Sequence, residues 1–196
     1  MNSEIIVVSG LPRSGTSLMM QMLDHGGVPV VTDNIRTADT DNPKGYYEYE
    51  MVKKIKQDVS WLPAARGKAF KMVSQLLYDL PANETYRIIF MEREMDETLL
   101  SQEKMLQRLG RPAAPREIMK KNFAVHLERL FEWLPRQRNL TVLRVCYNDL
   151  IAQSHKHAEQ VSAFLSGAAN VEAMVKTVDP SLYRNRTHGH ETVPAT

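Results

Sequence analysis

A glycine-bearing loop set between an apolar strand and an amphipathic helix constrains this chain more than any other feature. The residues from Glu4 to Val8 are apolar and β-branched after the first, Ser9-Gly10-Leu11-Pro12-Arg13-Ser14-Gly15 follows directly, and Thr16 to His25 carries an apolar stripe at Leu18, Met19, Met22 and Leu23, with Met19 and Met22 expected in the core and Met20 partly so. That pattern predicts strand, tight loop, helix. Such a loop turns successive backbone N–H groups, with the positive end of the helix dipole behind them, toward one point, and phosphate is the ligand that geometry favours. Gly10 and Gly15 keep the G-x-x-x-x-G spacing of nucleotide phosphate loops, but Thr16 stands where the Lys belongs, and Ser17 follows it. That Lys reaches the β and γ phosphates, so its loss argues against γ-phosphate chemistry. The cation lies inside the loop instead, at Arg13.

Strand-like and helix-like segments then alternate. Gly26-Gly27 ends the first helix, and a polar loop from about Thr32 to Lys44 contains Asp33, Asp39 and Asp41. A helix is expected from Tyr46 to Gln57, then a strand over Lys68 to Ser74 and a second buried strand at Tyr86 to Met91, with Asp96 as N-cap of a helix reaching Leu109. Pro115 opens a longer helix with Phe123, Leu127, Leu130, Phe131 and Leu134 on one face; Leu140 to Val145 is another strand, and Gln153 to Leu165 the last helix. The pattern predicts a three-layer α/β/α fold around a central, mostly parallel sheet, like that of the P-loop nucleotide hydrolases. Its expected extent is one domain over residues 1–186, with a flexible polar tail at 187–196.

Composition bounds the partners. The 196 residues carry 25 Lys and Arg against 23 Asp and Glu, a net charge of +2, so no global field draws in nucleic acid or an anionic membrane, and an anionic partner must be held locally. No apolar run approaches the ~20 residues that span a bilayer. The N-terminus shows no basic segment followed by an apolar one, and Cys146 stands alone, which together predict a cytoplasmic protein.

Leu11-Pro12-Arg13-Ser14-Gly15-Thr16-Ser17-Leu18 resembles the 5′-phosphosulfate loop of the sulfotransferases, P-[KR]-[SG]-G-T-[ST]. Arg93, at the end of Tyr86-Arg87-Ile88-Ile89-Phe90-Met91-Glu92, and Ser101 on the following helix resemble the Arg and Ser with which that family holds the donor's 3′-phosphate. Glu94-Met95 replaces the family's Asp/Asn-Pro. Val142 to Leu150 is similar to V-L-x-x-x-Y-E-D-L with Asn148 in the acidic place, and Asn42-Pro43-Lys44-Gly45-Tyr46-Tyr47-Glu48 to a segment of compact bacterial members. The resemblance runs from Glu4 to Gly167. It implies a donor, 3′-phosphoadenosine 5′-phosphosulfate (PAPS), with the product adenosine 3′,5′-bisphosphate (PAP), and a hydroxyl or amine acceptor.

It also implies roles. Arg13 would stabilise the leaving phosphate, a task for which a guanidinium fork is suited; Ser14, Gly15, Thr16 and Ser17 would cradle the 5′-phosphosulfate, and Arg93 and Ser101 the 3′-phosphate. Lys71 occupies the place of a family Lys near the sulfuryl group, while Val73 stands where the animal cytosolic enzymes carry a His base. The tyrosylprotein sulfotransferases, which share the P-R-S-G-T-[ST]-L loop, use an acidic residue downstream; Asp33 is the matching position and Glu48 the alternative. Arg184, with Arg186, is a candidate for the family's late basic clamp on the 3′-phosphate.

Other groups point to little chemistry. His188 and His190 lack partners of ligand spacing, so no metal is assigned. Cys146, Trp61 and Trp133 are expected to pack, the tryptophans with lining of an acceptor cleft as the alternative, and His126 is expected to be packed or exposed rather than catalytic. Two rival readings stay open: an ATP-dependent kinase with Glu92 on magnesium, and a nucleotide-binding module of the same fold without turnover.

Overall fold

The computed structural model describes residues 4–33, 35, 39 and 45–183. Among them four strands, β1 (Ile5–Gly10), β2 (Ala69–Val73), β3 (Tyr86–Glu92) and β4 (Leu140–Cys146), make one sheet in the order β2-β1-β3-β4, every pairing parallel. Helices α1 (Thr16–His25), α2 (Met95–Arg108), α3 (Arg116–Trp133), α4 (Tyr147–Ala152), α5 (Ser154–Phe164) and α6 (Val171–Thr177) surround it.

Alternation along the central strands explains the layering. Ile6, Val8, Ile89 and Met91 project to one face, where they pack with Met19, Met22 and Leu23 of α1, Val161 of α5 and Met174 of α6. Ile5, Val7, Ile88 and Phe90 project to the other and meet Leu130 of α3 and Leu134 beyond it. Both faces are thereby dry, which is why the strands read as continuous apolar runs. This is the three-layer α/β/α arrangement expected from the sequence.

The order places β1 between β2 and β3, and α1 leaves β1 on one face while α3 lies over the other, with α2 packed against Leu11 of the β1 loop and Phe123 of α3. Connections diverging in this way open a crevice beyond the carboxyl ends of the strands, where open α/β sheets bind ligands.

Four local expectations are corrected. Tyr46 to Gln57 is no helix: the chain stays irregular through Tyr49 and forms only a 3-10 turn at Glu50–Lys54. Tyr46, Tyr47, Tyr49, Val52 and Ile55 have aromatic or β-branched side chains with weak helix propensity, and Tyr47 takes a left-handed φ of 53°. The N-cap of α2 is Glu94, and Asp96 pairs instead with Lys120 of α3 at 2.9 Å. A further helix, α6, follows the one expected to be last; Asn170 caps it by accepting from the Ala173 N–H at 2.9 Å. Met20 is as fully buried as Met19 and Met22.

The tryptophans and histidine pack. Trp61 meets Tyr49 and Phe70 edge-on, Trp133 lies against Tyr78, and His126 Nε2 is 2.8 Å from Ser74 Oγ, tying α3 to the segment after β2. Burial pushes the Cys146 thiol above its ordinary value, which disfavours the nucleophilic thiolate. No helix among the described residues is long and apolar enough to cross a membrane.

Candidate functional site

Gly10 pairs in register with Val73 of β2 and Met91 of β3, so the carboxyl ends of three strands lie level. A cavity of about 670 Å³ opens there, within the ~300–1,000 Å³ of small-molecule sites. Its described lining includes Arg13, Lys53, Lys71, Arg93, Lys104 and Arg108 against Glu48 and Asp179. That is six cationic side chains to two acidic ones in a chain whose whole net charge is +2. Cations outnumber acids along the described lining, which favours an anionic ligand over a cationic one.

The loop after β1 explains part of that preference. Gly15 is the N-cap of α1 with φ 99° and gives no side-chain cap, and no acidic residue occupies the first turn. The N–H groups that open a helix have no intrahelical partner, and Gly15, Thr16, Ser17 and Leu18 line the cavity. Arg13 itself takes φ 73°, costing about 1–2 kcal/mol for a residue with a Cβ. Ser14 is placed differently from its neighbours: its N–H donates to the Leu11 carbonyl at 3.2 Å, and its buried hydroxyl has no hydrogen-bond partner. It shapes the loop from beneath.

Gly10 is required sterically. A Cβ there would lie 2.4 Å from Ser14 Oγ and 2.5 Å from the Met91 carbonyl oxygen, which is β3 backbone and cannot swing aside. Gly10→Ala is therefore expected to destabilise the protein by about 1–3 kcal/mol, read as a lowered denaturant midpoint. An unchanged midpoint would mean the loop has slack that these distances deny.

Arg13 Nε donates to Ser101 Oγ at 3.0 Å, so the loop cation and the α2 serine are partners within one cavity. Arg93 lies beside them, its NH1 3.4 Å from the Arg13 carbonyl oxygen. A buried cage holds it: Nε donates to Glu97 Oε2 at 3.1 Å, and the guanidinium sits 4.7 Å from the Tyr147 ring and 5.4 Å from that of Tyr183. Glu97 is itself held, by the Tyr183 hydroxyl on Oε1 at 2.6 Å and Asn148 Nδ2 on Oε2 at 3.2 Å. Burial, and then the bond to Glu97, push the Tyr183 hydroxyl up to about 12, so it stays a donor. An acid at position 148 would set a second carboxylate against Glu97; Asn148 supplies a donor instead.

On the β2 side, Lys71 Nζ donates to Ser17 Oγ at 3.0 Å, approaches Glu48 Oε1 at 3.8 Å and lies 5.6 Å from the Tyr46 ring. Its side chain is only 12% exposed, so it is not a solvated strand-end lysine. Glu48 also pairs with Lys53 at 3.6 Å. Asp33 has other duties: its carboxylate accepts from the backbone N–H of Glu50 at 2.6 Å and of Ile35 at 3.0 Å. Burial acts to raise its pKa, but those bonds outweigh it and leave the carboxyl below its ordinary value. Glu48 lines the cavity and Asp33 does not. Glu92 forms a paired bond with Arg144, at 2.6 and 3.0 Å. Arg184, Arg186, His188, His190 and the tail at 187–196 lie outside the described residues, as do Asp41 to Lys44.

Sequence reasoning missed the outer half of the lining. Lys104, Met105 and Arg108 follow Ser101 on α2 at i+3, i+4 and i+7 and share its face. That spacing is visible in the sequence once Ser101 is known to face a cleft. The meeting of Tyr46 and Glu48 with Lys71 had no such signal, because an irregular segment carries no period.

The architecture places the protein among the sulfotransferase-like α/β folds. No protein-family model matches the sequence, and no curated protein does. Solved structures do. The chain is similar to a sulfotransferase domain from the curacin biosynthetic pathway, with TM-score 0.50 and 15% identity over 92% of this chain and 89% of the other. A sulfotransferase from Alicyclobacillus acidocaldarius gives TM-score 0.51 and 13% identity over 91% and 87%. A mouse sulfotransferase complexed with PAP gives 0.54 and 16% over 90% of this chain and 62% of that one.

Proposed function

We propose that this protein is a sulfotransferase that moves a sulfuryl group from PAPS to a hydroxyl or amine acceptor. The observation that carries the reading is the meeting, in one cationic cavity, of the α1 N-terminus, Arg13, Ser17 and Lys71 at one end and Arg93 with Ser101 beside it. The crystallised neighbour with PAP adds support at the level of the fold.

The donor fits the groups available. The 5′-phosphosulfate would lie on the N–H groups of Gly15, Thr16 and Ser17, the 3′-phosphate against Arg93 and Ser101, and the adenine between the apolar surfaces of Leu18, Tyr147, Ile151 and Leu182. PAPS supplies the sulfuryl group and a phosphate leaving group. Arg13, on exchanging its bond to Ser101 for the phosphate–sulfate bridge, meets the charge that develops as the S–O bond breaks. Lys71 steadies the sulfuryl oxygens. Glu48, beside Lys71, takes the proton of the acceptor as its oxygen or nitrogen bonds to sulfur; the products are the sulfated acceptor and PAP. Asp33 is the weaker base, since two backbone N–H groups already stabilise its charge. Arg184 remains a candidate for a further contact to the 3′-phosphate. One domain over residues 1–186 remains the extent assigned.

Calorimetry with PAP, and transfer assays with labelled PAPS over a panel of phenols, alcohols and amines, test the proposal. PAP is expected to bind without magnesium, and Glu48→Gln to keep that affinity while transfer falls by about 10²–10⁴. Magnesium-dependent binding of ATP with none of PAP would replace the reading by the kinase one, although Glu92 is committed to Arg144. Tight PAP binding with no transfer to any acceptor would leave a nucleotide-binding module.

A further inference from the structure

We infer that Tyr183 and Asn148 are positioning residues that set this protein's preference for a 3′-phosphorylated nucleotide, acting on Arg93 through Glu97. This rests on the reading of Arg93 as the group that meets the donor's 3′-phosphate. Arg93 and Tyr147 line the cavity, whereas Glu97, Asn148 and Tyr183 do not. Their effect on a ligand must therefore pass through a neighbour. Arg93 comes from the turn between β3 and α2, Glu97 from the first turn of α2, Asn148 from the start of α4, and Tyr183 directly follows the 3-10 turn at Pro180–Leu182.

The hydrogen bonds among them run in a fixed direction. The Glu94 backbone N–H donates to Asn148 Oδ1 at 3.3 Å, which turns the other end of that amide, Nδ2, to Tyr183 Oη at 2.6 Å and Glu97 Oε2 at 3.2 Å. The Tyr183 oxygen thus accepts from Asn148, and its single proton goes to Glu97 Oε1 at 2.6 Å. Glu97 Oε2 in turn accepts from Arg93 Nε at 3.1 Å. Position 148 therefore needs an acceptor and a donor on one short side chain; an ionised aspartate there has no proton for Tyr183 and turns a second charge on Glu97. The Tyr147 and Tyr183 rings, 4.7 and 5.4 Å from the guanidinium, confine Arg93 further. With Nε held by Glu97, Arg93 offers a ligand its terminal nitrogens, and NH1 lies 3.4 Å from the Arg13 carbonyl oxygen in the β1 loop. A guanidinium grips phosphate best when its fork is set in one orientation, and that orientation is what the Glu97 network fixes.

The test uses the full chain and two nucleotides titrated by calorimetry: PAP, and adenosine 5′-monophosphate, which lacks the 3′-phosphate. The ratio of their dissociation constants is read within one preparation, so partial unfolding of a variant weakens both and leaves the ratio unmoved. Tyr183→Phe keeps the ring beside Arg93 and removes the hydroxyl; Asn148→Ala removes the amide. Each is expected to cut the preference for PAP by about three- to tenfold, the effect of one lost hydrogen bond, with the affinity for adenosine 5′-monophosphate within about twofold of wild type. In an Arg93→Met background the preference should already be small, and Tyr183→Phe should not reduce it further. An unchanged ratio in either single variant, equal weakening of both nucleotides, or an undiminished effect in the Arg93→Met background overturns the inference. A wild-type protein with no preference for PAP over adenosine 5′-monophosphate is a separate result, and it sinks the donor reading itself.

Discussion

Arg13→Ala is expected to slow sulfuryl transfer by about 10²–10³ with the fold intact, the loss typical when one donor to developing negative charge is removed. It is the cation of the loop that leads into α1, and its bond to Ser101 at 3.0 Å holds it in the cavity. Lysine would keep the charge and lose the planar fork, so Arg13→Lys should fall between wild type and alanine. Arg13→Gly separates chemistry from folding: it removes the same cation but relieves the left-handed φ of 73°, so its stability should match or exceed wild type while its rate falls with alanine's. Single-turnover assays with labelled donor decide this. A rate within a few-fold of wild type in Arg13→Ala would take the leaving group away from this loop.

Glu97→Ala is expected to be the most destabilising single change in the site. Arg93 and Glu97 are 7% and 4% exposed at their side chains, and removing one partner of such a pair costs about 3–5 kcal/mol because the other charge is left buried without it. PAP should offset part of this loss, since its 3′-phosphate would bring a new anion to Arg93. Denaturant midpoints measured with and without PAP give the result: the variant should gain more from saturating PAP than wild type does. An equal gain in both proteins would mean that the ligand's phosphate does not meet Arg93.

The strands and the glycine loop after β1 were legible in the sequence because each is specified locally. Ile5 to Val8 and Ile88 to Met91 are apolar on both faces, and Gly10 and Gly15 occupy positions where a Cβ would strike Met91 or Tyr147. What was not legible depended on packing. The stretch Tyr46 to Gln57 has apolar residues at near-helical spacing, yet its backbone bends around the Asp33 carboxylate, a partner seventeen residues before Glu50. The seven residues of α6 are too few for a period to stand out. At the site, residue type pointed to Arg13, Arg93, Ser101 and Lys71, but not to which side chains touch. That Ser14 turns inward, that Asp33 is committed to backbone, and that Glu97, Asn148 and Tyr183 together hold Arg93 are facts of three dimensions. The Asn at position 148 was readable only as a departure from a pattern; beside Glu97 it has a reason.

Tyr183 closes the Arg93 cage on Glu97 from 86 residues further along the chain. A loop of that length, containing β4 and the helices behind it, must be closed before either group is held. The setting of Arg93 is therefore a property of the whole packed fold, and a change that loosens the segment carrying Tyr183 would be felt at a guanidinium remote from it in sequence.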